Sequence, residues 1–344
     1  MAESSLRRRL VSICHPEWWV DRLLAHILDP SAAVVVTGFW RSGTTWLLQS
    51  LSRSMEAKSV FEPLHYDIDQ YRGALEHDFA LPQAREGYLN MYMPYAKDGL
   101  DSRAELNTYV RNSLTGAVTE PWTQGPRREV RKEAGRESDW KAIDVVYRVR
   151  EALRTSIVTK FVRAHLLIPA LHKTFDPVIV HLRRDPRAVI ASFKRLEWTW
   201  YKSLSLEDQL LKPDDGREEY FDRWREDIQK YESAPPLMRV AAYWAFVERF
   251  VDDLAPHSRR VVLSYEELCL NPESVQQGPV GKIVPEAPSA SQMGYSSRTT
   301  QAARREAKVE ERVHGWKNEL DKDEIEMVTS IESDIGVFIG GVEK

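Results

Sequence analysis

The chain has 344 residues, of which 42% are hydrophobic and 29% are charged, with 48 Lys and Arg against 52 Asp and Glu. These values are typical of a folded protein of one or two domains and exclude a fibrous, collagen-like or wholly disordered chain. A net charge of −4 gives no broad basic surface, so a polyanion has to be met by a local basic cluster. We therefore expect no nucleic-acid partner.

The cysteine content and the hydropathy pattern indicate the compartment. Cys14 and Cys269 are the two cysteines, too few for a disulfide framework or a zinc site. The N-terminal segment has a basic patch, but the apolar run after it breaks at His15 and Pro16 and is too short for a signal peptide. No apolar stretch reaches the roughly 18 to 20 residues of a membrane span. The expected protein is cytoplasmic and has no membrane partner.

Hydrophobic periodicity predicts helices and strands in alternation. The predicted helices are 18–29, 44–54, 164–173, 186–195 and 237–254. The predicted strands are 33–37, 156–161, 177–182 and 260–263. Strands separated by helices predict an α/β fold with a parallel sheet flanked by helices on both faces. Two stretches, 126–141 and 271–297, are rich in charged residues or in Pro, Ser, Gly and Gln, and are predicted to be loops or lids.

The loop between the first predicted strand and its helix has the sequence GFWRSGTT, from Gly38 to Thr45. In a loop that joins a strand to the start of a helix, the backbone N–H groups and the helix dipole point towards a bound anion. The sequence therefore predicts a phosphate site here. The loop nearly fits the nucleotide-triphosphate motif GxxxxGK[ST], but Thr44 stands where that motif has Lys, and the cation is Arg41. The alternative is a plain strand-to-helix turn, with Gly for geometry and Thr for capping.

The string RSGTTWL, which starts at Arg41, resembles the 5′-phosphosulfate loop of sulfotransferases. These enzymes use 3′-phosphoadenosine 5′-phosphosulfate (PAPS) and release adenosine 3′,5′-bisphosphate (PAP). The resemblance implies that Arg41 contacts the 5′-phosphate and the bridging oxygen, while the main chain of the next four residues wraps the phosphate. The implied donor-binding residues of this loop are Arg41, Ser42, Gly43, Thr44, Thr45 and Trp46.

A second string, VHLRRDPRAVIAS from Val180 to Ser192, resembles the 3′-phosphate motif of the same family. The resemblance implies that Arg184, at a strand end, and Ser192, in the following helix, bind the 3′-phosphate. A planar guanidinium can hold a dianionic phosphate at two points. The alternative is a helix start with surface ion pairs. The two motifs together imply a single sulfotransferase domain over 1–344, with a sheet like that of P-loop nucleotide kinases.

Sulfuryl transfer requires a base that takes the proton of the acceptor hydroxyl. The string Phe-Glu-Pro-Leu around Glu62 resembles the Tyr-Glu-Pro-Leu string of Golgi-type carbohydrate sulfotransferases, and tyrosylprotein sulfotransferases also have a Glu at a similar offset. Cytosolic sulfotransferases acting on phenols and steroids use a downstream His, and this chain has none between His77 and His165. The resemblance therefore implies Glu62 as general base; the alternative is an exposed loop acid.

Four further residues are weaker candidates. Lys160 is expected to contact the donor sulfonate; the alternative is that it is only a cation at a strand end. His65 is expected to assist the base or orient the acceptor; the alternative is a structural role. Arg298 and Arg305 lie in a segment that loosely resembles the family's late cofactor-covering loop, although charged runs are usually solvated. No metal is expected, because a sulfonate carries less charge than a phosphoryl group and the sequence has no Asp/Glu/His cluster at ligand spacing.

The acceptor is expected to bind the stretches outside both motifs, at about 63–150 and 196–236, while about 290–320 covers the cofactor. The predicted acceptor is a hydroxyl of a carbohydrate or small-molecule metabolite, because aromatic side chains in these stretches suit sugar rings and flat aromatics alike. These aromatic residues are Trp122, Trp140, Trp198, Trp200, Tyr201, Tyr220 and Trp224. Two other functions stay open: a P-loop small-molecule kinase using ATP, and a nucleotide-binding scaffold without turnover.

Overall fold

A five-stranded parallel sheet lies at the centre of the fold. The strands are β1 (Val34–Thr37), β2 (Lys58–Phe61), β3 (Ile157–Phe161), β4 (Val178–Arg183) and β5 (Arg260–Ser264). Their order in the sheet is β2-β3-β1-β4-β5. The computed structural model describes residues 16–79, 86–118, 120, 122–124, 146, 149–196, 198–275, 277–278, 281, 284 and 308–337.

Helices cover both faces of this sheet, because the valines of β1 point alternately to either side. Val35 packs with the helices Asp69–Asp78, Ala104–Leu114 and Ile168–Thr174. Val34 and Val36 pack on the other face with apolar residues of the helices Thr44–Ser54 and Tyr265–Leu270. The predicted fold class, an α/β fold with a parallel sheet flanked by helices, is confirmed.

The remaining α-helices enclose the sheet or extend beyond it. They are Pro16–Ile27, Glu86–Met91, Pro186–Arg195, Leu206–Leu210, Glu218–Phe221, Arg225–Glu232, Pro236–Asp252, Pro272–Val275, Val309–His314 and Lys322–Ile335. Short 3-10 turns are Pro30–Ala32, His165–Leu167, Trp200–Ser203, Asp222–Trp224 and Gly315–Asn318. Among the helices described here, none has the length and apolar character that crossing a bilayer requires.

The helix that begins at Pro186 follows the sequence prediction in detail. Asp185 is its N-cap, and the Asp185 side chain accepts a hydrogen bond from the backbone N–H of Arg187 at 2.8 Å. Pro186 occupies the first turn, where its missing N–H group leaves no hydrogen bond unmade. The helix therefore starts directly after β4, at the edge of the sheet where the second motif lies.

The structure also differs from the prediction: several helices, among them Asp69–Asp78 and Ala104–Leu114, were not predicted, and the helix Pro272–Val275 lies inside the predicted loop 271–297. Two further differences concern the sheet and its connections. The predicted helix 164–173 begins as a 3-10 turn, His165–Leu167, and becomes an α-helix at Ile168. The edge strand β2 was not predicted, because its four residues KSVF lack both a strict alternation and a long apolar run. Lys58 is buried in this strand because its Nζ pairs with the Asp21 carboxylate at 2.6 Å.

The long helix Pro236–Asp252 is tied to the end of β4 by a buried charge network. Glu248 Oε2 accepts a hydrogen bond from Arg183 Nε at 2.9 Å and lies 2.8 Å from His181 Nε2, while Oε1 lies 3.4 Å from His165 Nε2. Burial alone raises the pKa of Glu248, but His181 and Arg183 outweigh burial and hold that pKa well below its usual value. The carboxylate is therefore ionised inside the protein and fixes the strand end from which Arg184 follows.

Candidate active site

The loop from Gly38 to Gly43 has a backbone that only glycine permits at two positions. Gly38 and Gly43 have φ angles of 150° and 88°, and Arg41 between them is at 69°. A Cβ atom on Gly38 would lie 2.2 Å from the Leu182 carbonyl oxygen, and one on Gly43 would lie 2.6 Å from the Tyr265 ring. The loop therefore packs so closely against β4 and against Tyr265, which directly follows β5, that side chains are excluded at both glycines.

This loop leaves polar groups available to an anion. Gly43 is the N-cap of the helix Thr44–Ser54, and no side chain caps the first turn. Ser42 Oγ and Trp46 Nε1 are buried and have no hydrogen-bond partner among the described residues. Buried polar atoms are normally paired, so both donors are open to a hydrogen bond with a bound group. The arrangement fits a phosphate or sulfonate group, with the helix dipole adding to the attraction.

Arg41 is held by the second motif. Its Nε donates a hydrogen bond of 2.9 Å to Ser192 Oγ, and its guanidinium carbon lies 5.6 Å from the Trp198 ring centre. Burial, together with the nearby charges of Arg184 and Arg195, lowers the pKa of Arg41 to about 10. Arg41 is still charged at neutral pH. Repulsion between neighbouring buried cations favours binding of an anion between them.

Arg184 reaches the same loop from β4. Its Nη1 donates to the Arg41 carbonyl oxygen at 2.8 Å, and its Nη2 donates to the Arg312 carbonyl oxygen at 3.0 Å. The guanidinium carbon lies 4.5 Å from the Tyr265 ring centre, and Nε has no partner within the described part of the chain. The two motifs therefore meet. Ser192, however, is hydrogen-bonded to Arg41, and Nη1 and Nη2 of Arg184 are hydrogen-bonded to carbonyl oxygens.

A carboxylate and an amine lie beside the loop. Lys160 Nζ donates to Glu62 Oε1 at 2.5 Å and to Thr45 Oγ1 at 2.7 Å. The register of the sheet explains this contact, because Lys160 pairs with Phe61 of the edge strand and Glu62 follows Phe61 directly. Thr45 belongs to the first turn of the helix after the loop. The sequence-predicted base and the sequence-predicted sulfonate contact are thus adjacent to each other.

Opposing effects set the charge state of this pair. Burial raises the pKa of Glu62, but the charges of Lys160 and Arg163 outweigh burial and bring the pKa below its usual value. Burial lowers the pKa of Lys160, and the attraction of Glu62 compensates in part. We take the pair as an ion pair at neutral pH, since each charge stabilises the other. Glu62 is then unprotonated, as a general base has to be.

His65 follows Glu62 by three residues and packs against aromatic rings. Its ring is 4.1 Å from that of Trp122 and 5.0 Å from that of Tyr66, and its Nδ1 accepts from the Asp67 N–H at 3.3 Å. Burial, followed by the charge of Arg163, lowers the pKa of His65 to about 4. The imidazole is therefore neutral at neutral pH and fits an orienting role better than that of an acid.

Arg163 is a charged residue of this region that the sequence analysis did not identify. It follows β3, is 3% exposed, and donates through Nε to the Asn90 carbonyl oxygen at 3.1 Å. Its Nη1 is buried without a partner in the described residues, and its guanidinium carbon lies 5.1 Å from the Trp40 ring centre. No motif contains it. A buried cation near a carboxylate becomes visible only when the strands are assembled.

The acceptor-side aromatic residues fall into three groups. Trp198, Trp200 and Tyr201 surround Phe193, while Trp122 packs on Phe61 and His65. Tyr220 and Trp224 contact Phe250 and Phe246 and, like Trp198 and Trp200, pack against the hydrophobic core from partly buried positions, whereas Tyr201 belongs to that core. Trp140, Arg298, Arg305 and the predicted loop 126–141 lie outside the described residues.

Two groups of ligand-type side chains occur in the part of the chain that the structure describes. One is the buried set His165, His181 and Glu248, and the other is His172, Asp176 and His257. Neither set was expected from the sequence: the members of the first lie far apart in the chain, and in the second His257 is distant from His172 and Asp176, which are four residues apart. In the first set Arg183 donates to Glu248, which opposes a metal cation at that carboxylate. Neither set includes a residue of the phosphate loop or Glu62.

Comparison with known proteins gives a family for most of the chain. The family model described as "Sulfotransferase family" matches residues 33–278. This range includes both sequence motifs, Glu62 and Lys160. No curated protein matches the chain.

Similar solved structures were also found. They include the sulfotransferase domain of the Synechococcus PCC 7002 olefin synthase, which is 16% identical, with 91% of this chain and 97% of that chain covered and a TM-score of 0.42. The sulfotransferase domain from the curacin biosynthetic pathway is 15% identical, with 89% and 98% covered and a TM-score of 0.42. Retinol dehydratase in complex with androsterone and inactive cofactor PAP is 14% identical, with 92% and 83% covered and a TM-score of 0.36.

Proposed function

Because the chain belongs to the sulfotransferase family and is therefore an enzyme of sulfuryl transfer, we propose that it moves the sulfuryl group of PAPS to a hydroxyl group of a carbohydrate or small-molecule metabolite. One observation carries this proposal. The hydrogen bond between Arg41 and Ser192 joins the two motifs that the sequence assigned to opposite ends of the donor. The ion pair of Glu62 and Lys160 lies next to the same loop.

We assign donor binding to two sets of groups. The loop residues Ser42 to Thr45, with Arg41 and Trp46, bind the 5′-phosphosulfate through backbone N–H groups and a cation. Arg184 and Ser192 bind the 3′-phosphate. Ser42 Oγ, Trp46 Nε1 and Arg184 Nε support this assignment, since each is buried without a hydrogen-bond partner among the described residues and belongs to one of the two motifs. Arg298 and Arg305 stay proposals as further contacts.

The chemistry assigned to this chain requires one proton transfer and one displacement at sulfur. Glu62 takes the proton of the acceptor hydroxyl, and the acceptor oxygen forms a bond to sulfur as the bond from sulfur to the 5′-phosphate oxygen breaks. PAP leaves with the bonding electrons. Lys160 and Arg41 stabilise the negative charge that develops on the leaving oxygen. Lys160 starts between Glu62 and Thr45, so a small movement of its side chain brings it to the sulfonate.

We propose that the acceptor enters from the side of His65, Trp122 and Trp198, which belong to the segments 63–150 and 196–236. The His65 imidazole, neutral at pH 7, can accept or donate a hydrogen bond without adding charge. Trp122 is 41% exposed, and an exposed aromatic face is suited to stacking on a sugar ring or a flat metabolite. The single-domain organisation, the cofactor-covering role of 290–320 and the cytoplasmic location stay predictions.

The experiment is transfer of labelled sulfur. Purified protein is incubated with PAPS labelled in the sulfuryl group and a mixed metabolite extract that includes soluble carbohydrates, and the products are separated and identified. The proposal predicts a labelled product that requires the protein and disappears in Glu62→Gln. Consumption of ATP in place of PAPS would favour a kinase, although Thr44 stands where a kinase loop has its lysine.

Two further arms separate the alternatives. A kinase requires a divalent cation on its phosphates, whereas we propose that sulfuryl transfer here proceeds in excess EDTA. A nucleotide-binding scaffold would bind PAP and label no acceptor in a broad panel. Binding of neither PAP nor PAPS would overturn the assigned donor.

A further inference from the structure

The proposed proton transfer and displacement at sulfur leave one buried cation beside the base without a task. Arg163 lies three residues after Lys160, just beyond the end of β3, and is 3% exposed. Burial raises the pKa of Glu62, whereas Lys160 and then Arg163 lower it, so Arg163 is close enough to act on the base. Lys160 forms an ion pair with Glu62, but within the described part of the chain no carboxylate pairs with Arg163.

The guanidinium of Arg163 is held through one nitrogen and is open at its end. Nε donates to the Asn90 carbonyl oxygen at 3.1 Å, and the guanidinium carbon lies 5.1 Å from the Trp40 ring centre. Nη1 and Nη2 donate to none of the residues that the structure describes, and Nη1 is buried. These two nitrogens form the end of the planar fork, which matches the two oxygens of a carboxylate. The side chain is therefore fixed in place with its terminal nitrogens open to a bound acid group.

A second buried polar atom near Arg163 is also unpaired. Tyr71 belongs to the helix Asp69–Asp78 and is 1% exposed, and its hydroxyl group has no hydrogen-bond partner among the described residues. Burial raises the pKa of Tyr71, and the charge of Arg163 opposes that effect only in part. The phenol is therefore protonated at neutral pH and keeps a donor. Two separate elements thus supply open hydrogen-bond donors in the same region.

The charges around the base favour one additional negative charge. Lys160 and Arg163, each 3% exposed, carry two positive charges, and Glu62 carries one negative charge. Lys160 Nζ lies 2.5 Å from Glu62 Oε1, so the charge of Arg163 is the one that this ion pair leaves unbalanced. A buried charge is costly unless an opposite charge is paired with it. A single carboxylate balances the group, whereas a phosphate dianion would exceed it.

We propose that Arg163 binds a carboxylate of the acceptor, so that the substrate is a hydroxy acid, an inference that rests on the proposed sulfuryl transfer and narrows its acceptor class. The acid group is held by the end of the Arg163 fork while the hydroxyl group lies at Glu62. The acceptor reaches Arg163 past Glu62 and His65, whose side chains are each 13% exposed. Burial strengthens the contact, because a charged hydrogen bond is stronger away from water.

The first test is the chemical class of the labelled product. The protein is incubated with PAPS labelled in the sulfuryl group and a metabolite extract that contains both acidic and neutral hydroxyl compounds, and the labelled product is identified by mass spectrometry. We expect a sulfated hydroxy acid, with one negative charge from the sulfate ester and one from the carboxylate. A labelled product whose acceptor has no carboxylate would overturn the proposal and leave sulfuryl transfer intact. No labelled product would overturn the proposed function, and the hydroxy-acid assignment with it.

The second test is the preference for acid over amide. The ratio of kcat/KM for the identified hydroxy acid to kcat/KM for its uncharged amide should be at least about ten in the wild type, the scale of a hydrogen bond to a charged group. Arg163→Gln should lose most of this preference, and Arg163→Lys, which keeps the charge, should retain part of it. Arg225→Gln is the matched control, because Arg225 is exposed and pairs with Glu218 and Asp222.

The ratio separates recognition from a structural role of Arg163. A weaker base or a less stable fold lowers kcat/KM for the acid and the amide together and leaves their ratio unchanged. A ratio in Arg163→Gln equal to that of the wild type would therefore overturn the assignment of Arg163. Circular dichroism checks that each variant is folded. If Arg163→Gln does not fold, the wild type and Arg163→Lys decide, and a wild-type ratio near one or an unchanged ratio in Arg163→Lys would overturn the proposal.

Discussion

Arg41 and Ser192 are 151 residues apart in the chain and are joined by a hydrogen bond of 2.9 Å from Nε to Oγ. The order of the sheet explains the contact, because β1 and β4 are neighbours and the loop after β1 meets the helix after β4. Arg184 reaches the same loop by donating to the Arg41 carbonyl oxygen. The two motifs therefore form one site, and the predictions below test what each part of that site does.

Glu62→Gln tests the general base. The amide keeps the size of the side chain but cannot take a proton, so turnover should fall at least ~100-fold, the usual scale of general base catalysis. PAP affinity measured by calorimetry should stay near the wild-type value. Glu56→Gln is the control, because Glu56 is exposed at the end of the helix Thr44–Ser54. If Glu62→Gln kept most of the wild-type rate, the base would have to be another group.

Arg163→Gln tests the electrostatic setting of the base. The active form of Glu62 is ionised, so kcat/KM falls as pH drops through the pKa of Glu62. Burial raises that pKa while Lys160 and Arg163 lower it, with the result below the ordinary value of 4.5. Removing the charge of Arg163 should therefore move the acid limb of the pH profile to higher pH, and Arg163→Lys should keep it low. An acid limb unchanged in Arg163→Gln would show that this cation does not act on Glu62.

Arg184→Ala tests the 3′-phosphate contact. Loss of a charged hydrogen-bond donor should weaken PAP binding by about 1.5–3 kcal/mol. Arg187→Ala is the matched control, because Arg187 lies in the same segment and its guanidinium is paired with Asp185 at 2.8 Å. Calorimetric titration with PAP should separate the two variants. Equal PAP affinity in wild type and Arg184→Ala would remove Arg184 from the donor site.

Glu248→Gln tests the buried network behind Arg184. The pKa of Glu248 is held well below its usual 4.5, so its contribution to stability is fully present above the unfolded pKa, begins to fall below it, and is lost as pH falls through the lower folded-state pKa. At neutral pH the substitution should lower the free energy of unfolding by about 3–5 kcal/mol, because it leaves buried partners uncompensated. The free energies of unfolding of wild type and Glu248→Gln are compared by urea unfolding at pH 7 and at pH 4. Glu326→Gln is the control, because Glu326 is exposed. The expected difference from wild type is large at pH 7 and smaller at pH 4, and a difference independent of pH would contradict the ionised state.

The local sequence was sufficient to predict the strand and the helices that form the proposed donor site. The helix after the loop, Thr44–Ser54, and the helix Pro186–Arg195 begin where the sequence predicted, because Gly43 and Pro186 mark both starts by backbone geometry. The valines of β1 give a continuous buried run that is typical of a central parallel strand. Both motifs lie at strand ends, so their convergence follows from the parallel sheet.

Contacts between distant segments were not predictable. The edge strand β2 is short and contains the buried residue Lys58. The ion-pair partner of Lys58 is Asp21, which lies in the helix Pro16–Ile27. Arg163 belongs to no motif, and its effect on Glu62 depends on the adjacency of β2 and β3. The group of His172, Asp176 and His257 forms only when the segments before β4 and β5 are brought together. In each case the tertiary arrangement, which no local pattern records, decides the chemistry.

The central claim is that Arg41 and Arg184 create one site that recognises both phosphate groups of PAP. The most direct measurement is calorimetric titration of the wild-type protein with PAP and, separately, with adenosine 5′-monophosphate, which lacks the 3′-phosphate. The account predicts that PAP binds at least about tenfold more tightly, a difference of about 1.4 kcal/mol. Equal affinities for the two nucleotides would contradict it.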